Sequence, residues 1–160
     1  MIDDFSGELN AFIRRAEKEV FIIGGSMRKF SATEDIINKL IKDKNIKFHI
    51  LVLNIEKAEI RDGFKELLGN LTVADNLNHF RVFNNNKNVE IRIYETLPTS
   101  YFYAVDLHHG LKGTIQVLPI LFGKPELDCP QIEIDRNNEN LYEFYSNFIE
   151  NFWEKGSPFK

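Results

Sequence analysis

The sequence predicts an α/β (α+β) domain: a mixed β-sheet flanked by helices on both faces, closed by an aromatic amphipathic helix at the C-terminal end. Three observations carry that expectation. Two short apolar runs, residues 20–23 and 46–53, bracket a helical pattern. Residues 89–95 (VEIRIYE) alternate strictly between apolar and polar. Large apolar side chains then recur at three- and four-residue spacing from Leu141 to Phe152. The chain has 160 residues, 43% hydrophobic and 28% charged, so it suffices for one sizeable core over 1–160. No repeat, low-complexity tract or linker divides it.

The elements follow in order. Ile2, Phe5, Leu9, Phe12, Ile13 and Ala16 fall on one helical stripe. Residues 20–23 read as a buried strand leaving through Gly24-Gly25-Ser26. Ser31 with Glu34 has the spacing of a capping box, and Ile36, Ile37, Leu40 and Ile41 form the buried stripe of a second helix. Residues 46–53 complete a βαβ unit, whose crossover should be right-handed. Residues 59–83 read as helical through Phe64, Leu67, Leu68, Leu71, Ala74 and Leu77, and the Asn-rich tract 84–88 as a turn. Residues 101–107 and 114–122 form a hairpin with a wet tip at His108-His109-Gly110. An edge strand is expected near 131–134. In the last helix, Leu141, Phe144, Tyr145, Phe148 and Phe152 are expected to face the core, with Ile149 and Trp153 widening the stripe.

Composition excludes several classes. The N-terminus lacks a basic region followed by an apolar run, so no signal peptide is expected. No stretch approaches the roughly 20 apolar residues of a membrane helix. The single cysteine, Cys129, cannot form an internal disulfide and follows Asp128, which disfavours the thiolate. An inert thiol in a reducing, cytoplasmic setting is the expectation. The formal net charge of -4 argues against a nucleic-acid coat. The charge is uneven: residues 28–65 hold nine basic and six acidic side chains, residues 126–160 three and eight. A weakly basic lip near 28–47, facing an anion, is the sharper reading of that imbalance.

None of the four histidines has the spacing of a metal ligand set, so no metal and no cofactor is expected. His49 reads as a satisfied core histidine, and His108 and His109 as solvated. The exit of the first strand is more suggestive, because ligands of open sheets bind beyond the carboxyl ends of parallel strands. Gly25, Ser26 and Arg28, with Lys29, would line such a site.

The order of elements, the strand closed by Gly-Gly-Ser, the run V-E-I-R-I-Y before a hairpin and the closing FYSNFIENFWEKGSPF resemble the phospholipase D-like fold, in particular phospholipase D-like regulatory domains of bacterial proteins. The resemblance implies a catalytic H-x-K-x-x-x-x-D near residues 99–106. Thr99 stands in place of the histidine, Tyr101 in place of the lysine, and Asp106 remains. A threonine without a base and a tyrosine without positive charge cannot replace a histidine nucleophile and its lysine. The resemblance therefore implies a pseudoenzyme with no catalytic residues that binds a small phosphate-bearing ligand, a nucleotide or cyclic nucleotide, or a protein partner. Gly25, Ser26, Arg28, Tyr94, Thr99 and Tyr101 would form the site. It also implies a homodimer, while the composition above gives no membrane and does not favour nucleic acid as a partner. The alternatives are a phosphodiesterase or nuclease using His108 or His109 with Lys112, and a pure oligomerisation scaffold.

Overall fold

The computed structural model of the chain describes residues 4–24, 30–67, 77–120 and 130–159. Helix α1 (Asp4–Ile13) leads into β1 (Glu19–Gly24), α2 (Phe30–Lys44) and β2 (Lys47–Leu53). Helices α3 (Ala58–Leu67) and α4 (Leu77–Phe80) precede β3 (Val89–Tyr94). Strands β4 (Ser100–Val105), β5 (Thr114–Pro119) and β6 (Ile132–Asp135) follow, then α5 (Glu139–Lys155) and the two-residue β7 (Ser157–Pro158).

The fold is mixed α+β, with one seven-stranded sheet ordered β6-β5-β4-β1-β2-β3-β7. Strands β1, β2 and β3 are parallel, with Glu19 opposite Lys47 and Phe48 opposite Val89. The remaining pairings are antiparallel. The inner parts of β1 and β2 are apolar because both of their faces are covered there: Val20 through Ile23 and Ile50 through Leu53 are all buried. Right-handed crossovers put α2 and α3 on one face. Helix α5 covers the other, where Trp153 meets Phe21 and His49, Phe152 meets Tyr94, and Phe148 meets Phe102.

Parallel pairing gives the sheet two unlike poles. The starts of β1, β2 and β3 share one, called here the entry pole, together with the β4–β5 turn. Their ends share the exit pole, together with the start of β4.

Three local expectations are corrected. Ser31 lies inside α2, which begins at Phe30, so it is not the cap of that helix. His49 is no core histidine: its side chain is 24% exposed and stacks on Phe21 at 4.4 Å. The buried line of α5 is Tyr142, Ile149 and Trp153, whereas Phe144 is 63% exposed and Leu141 and Phe148 are also exposed. The apolar arc of α5 spans about half the helix, and periodicity does not say which part of a wide arc meets the sheet.

Candidate nucleic-acid interface

The entry pole gathers basic residues that are distant in sequence. The turn from α1 to β1 carries Arg14, Arg15 and Lys18, the end of α2 carries Lys42 and Lys44, β2 begins at Lys47, and Lys87 stands two residues before β3. Main-chain bonds hold these segments side by side. The Lys47 N–H donates to the Lys18 carbonyl at 2.9 Å, and the Phe48 N–H to the Asn88 carbonyl at 2.8 Å. The buried Asn88 side chain donates to Asn45 Oδ1 and to the Ile46 carbonyl at 2.9 and 3.0 Å. Lys44 Nζ donates to the carbonyls of Arg14 and Ala16 at 3.4 and 3.3 Å, tying the ends of α1 and α2 together. Since neighbouring strands lie about 4.8 Å apart, the three strand starts fall within roughly 10 Å.

Among the described residues, most of these charges have no acidic partner within ion-pair distance. Among the described residues, the exposed side chains of Arg14, Lys18, Lys42, Lys47 and Lys87 form no ion pair. Arg15 is committed to Glu133 at 3.0 Å, and Lys112 to Glu17 at 2.8 Å. That pairing holds the Glu17 carboxyl below its ordinary range, through the Lys112 hydrogen bond and charge. The rim also carries acids: exposed Asp43, Glu19 at the start of β1, which is bonded to His108, and Glu90 of β3, which pairs with Arg92 at 2.8 Å. Lys42 and Lys44 in the last turn of α2 also complement the negative end of its dipole.

The turn that presents Lys18 is fixed by a buried anion. Asp106, 2% exposed, turns back past the end of β4 with φ of 52°. Its carboxylate accepts the main-chain N–H groups of Glu17, Lys18 and Glu19 at 2.9, 2.7 and 3.1 Å. A carboxylate holding three main-chain donors makes a stiff base for the loop.

The residues expected from sequence divide between the two poles. Gly25, Ser26, Arg28, Lys29 and Cys129 lie outside the described residues. Thr99 is exposed at the exit pole, just before β4, and Tyr101 beside it is buried. Tyr94 is buried against Phe152, and its hydroxyl donates to the Gly24 carbonyl at 2.9 Å. Burial pushes that phenol far above its ordinary range. Asp106 stands at the opposite end of β4 from Thr99 and Tyr101, so the three do not converge. His108, His109 and Lys112 are in the turn at the entry pole. His108 is not simply solvated: Nδ1 lies 2.8 Å from Glu19 Oε1, and Nε2 is bonded to Glu150 Oε1. Among the described residues, no group of three or more His, Cys, Asp or Glu is placed to hold a metal ion, and no helix is long and apolar enough to cross a membrane.

The excess of basic residues in 28–65 was the one sequence signal for the rim, through Lys42, Lys44 and Lys47. Arg14, Lys18 and Lys87 lay outside it and join only through strand pairing.

No family model matches the chain, and no curated protein matches it. Among solved structures, the fold is similar to that of TrmBL2, an archaeal chromatin protein whose structure shows a novel mode of DNA binding. The TM-score is 0.64 at 12% identity, over 99% of this chain and 52% of that one. This chain thus spans about half the length of that relative, and at such identity the likeness is one of fold. Two expectations are corrected by it. A sensor of a small phosphate-bearing ligand, nucleotide or cyclic nucleotide, gives way, because the similar fold belongs to a DNA-binding chromatin protein. The expectation that nucleic acid is not a favoured partner falls with it, since net charge averages over a surface whose cations are gathered at one pole.

Proposed function

We propose that the chain is a nucleic-acid-associated module that holds the phosphate backbone of duplex DNA along the entry-pole rim. The observation that carries this reading is the cluster of unpaired cations, Arg14, Lys18, Lys42, Lys47 and Lys87, on a chain whose net charge is -4. Such a cluster lowers the energy of an approaching polyanion through long-range attraction and through release of the counterions condensed on it. One strand of duplex presents a charge about every 3.4 Å of axis, so a rim of roughly 10 Å meets about three phosphates at once. Of the acids of residues 126–160, Glu133 pairs with Arg15 and Glu150 with His108 at this pole, so the unpaired cations are what an approaching polyanion meets. Similarity of fold to a DNA-binding chromatin protein supports the same reading. Contacts of this kind position a duplex without reading its sequence.

The test is fluorescence anisotropy with a labelled 20-base-pair duplex in low salt and in near-physiological salt. The expected result is binding that weakens steeply with salt, differs little between unrelated sequences, and falls at least tenfold in the double variant Lys18→Glu/Lys47→Glu. Absence of binding at low salt, or binding untouched by that double variant, would overturn the reading.

A further inference from the structure

We propose that His108 is a proton-controlled clasp that fastens α5 to the sheet at the entry pole. Its two ring nitrogens face two carboxylates from different elements: Nδ1 lies 2.8 Å from Glu19 Oε1 of β1, and Nε2 is bonded to Glu150 Oε1 of α5. A carboxylate oxygen only accepts, so a bond at both nitrogens requires both to carry protons. The arrangement is that of an imidazolium bridging two acids.

The surroundings keep the bridge specific. The main-chain N–H of His108 donates to the same Glu19 oxygen at 3.2 Å. From β2, His49 Nε2 lies 3.6 Å from Glu19 Oε2, and His109 Nε2, on the same turn, lies 3.6 Å from Glu19 Oε1. Lys112 of that turn is engaged by Glu17, and Arg136, after β6, donates to the Leu107 carbonyl at 3.2 Å. The Phe21 ring, edge-on at 6.1 Å, closes the apolar side.

Loss of one proton breaks the bridge at a definable place. A neutral imidazole donates at a single nitrogen. Glu19 is the more enclosed acid, its side chain 12% exposed against 43% for Glu150, and it already holds the main-chain N–H. The remaining ring proton therefore stays with Glu19, and Glu150 is released. Burial pushes His108 down, but the bonds to Glu19 and Glu150 outweigh it and hold the imidazolium above its ordinary value. A raised histidine pKa means that the attachment is complete below about 6.5 and is lost as pH rises through the raised value. Local opening of α5 around Glu150 follows that loss, because this stretch then rests on the apolar contacts of Ile149 and Trp153, with Tyr142 and Arg92 holding the helix only nearer its two ends.

This inference is independent of the nucleic-acid reading, and its experiment uses no DNA. Imidazole nitrogen signals of the full chain are followed by NMR against pH, together with hydrogen exchange of the α5 amides corrected for intrinsic pH dependence. The expected result is a His108 midpoint above about 6.5, lowered in Glu150→Gln, and α5 exchange that accelerates several-fold across that midpoint. The step should vanish in His108→Gln. A midpoint at or below about 6.5, a flat α5 profile, or a step that persists in His108→Gln would overturn the clasp. Glu150→Gln alters an exposed side chain and keeps the test decisive if His108→Gln fails to fold.

Discussion

The carboxylate of Asp106 accepts the main-chain N–H of Lys18 at 2.7 Å, across 88 residues of chain. This one contact joins the end of β4 to the turn before β1 and places a free cation beside the start of β2. Two neighbouring N–H groups share the same carboxylate, so the side chain acts as a buried anionic cap for that turn.

Asp106→Asn should therefore destabilise the chain by about 2 kcal/mol, the scale of hydrogen bonds to a charged acceptor. Asparagine tolerates the left-handed backbone that φ of 52° requires, so the loss isolates the charge rather than strain. Asp106→Ala should cost more. Urea denaturation of the three proteins measures the order; equal stability of wild type and Asp106→Asn would refute the capping role.

The rim should show its stoichiometry in salt. With five unpaired cations, the logarithm of affinity for duplex should fall against the logarithm of salt with a slope no steeper than about -4.5. Each of Arg14→Ala and Lys87→Ala should reduce that slope by about 1. Both exposed substitutions should leave unfolding free energy within about 0.5 kcal/mol of wild type.

Gly113 is required by its neighbours. A Cβ there would run into the Tyr142 hydroxyl and stand 2.9 Å from the Asp106 carbonyl. That hydroxyl also donates to the Leu107 carbonyl at 2.9 Å. Gly113→Ala should destabilise by about 2 kcal/mol or more, from overpacking and the displaced bond. In a Tyr142→Phe background the further loss should be smaller, because the nearest clashing atom is gone. Full additivity in a double-mutant cycle would show that the two positions do not meet.

The two sides of α5 should behave differently. Phe144→Ser, at a side chain 63% exposed, should change stability by less than about 0.5 kcal/mol. Ile149→Ala, at a fully buried position, should cost about 2–5 kcal/mol. Thermal denaturation separates them, and a large loss from Phe144→Ser would return that residue to the core.

The acid limb of stability should report Glu19. Burial works against its charge, but the rings of His49 and His108 outweigh burial and pull its carboxyl down to about 2. A depressed carboxyl contributes stability that is present above its unfolded value of about 4.3 and is lost as pH falls from there toward the folded one. Glu19→Gln should flatten the loss between about pH 4.3 and 2. An unchanged acid limb would show that other carboxylates govern it.

The sequence by itself determined the elements. The apolar runs of β1 and β2, the alternation of β3, the hairpin of β4 and β5 and the existence of α5 are all written in local periodicity, which follows from backbone geometry.

Tertiary structure alone decided which residues meet. Parallel pairing of β1, β2 and β3 carries Arg14, Lys18, Lys47 and Lys87 to one rim, though up to 73 residues separate them along the chain. Docking chose Tyr142, Ile149 and Trp153 over the Phe144 and Phe148 side of an equally apolar arc. The same docking set His108 between Glu19 and Glu150, 89 and 42 residues away. Local periodicity constrains how each segment buries its own face. Charge clusters and hydrogen-bonded bridges instead form between segments, and strand register and helix docking, which bring those segments together, leave no local trace in the sequence.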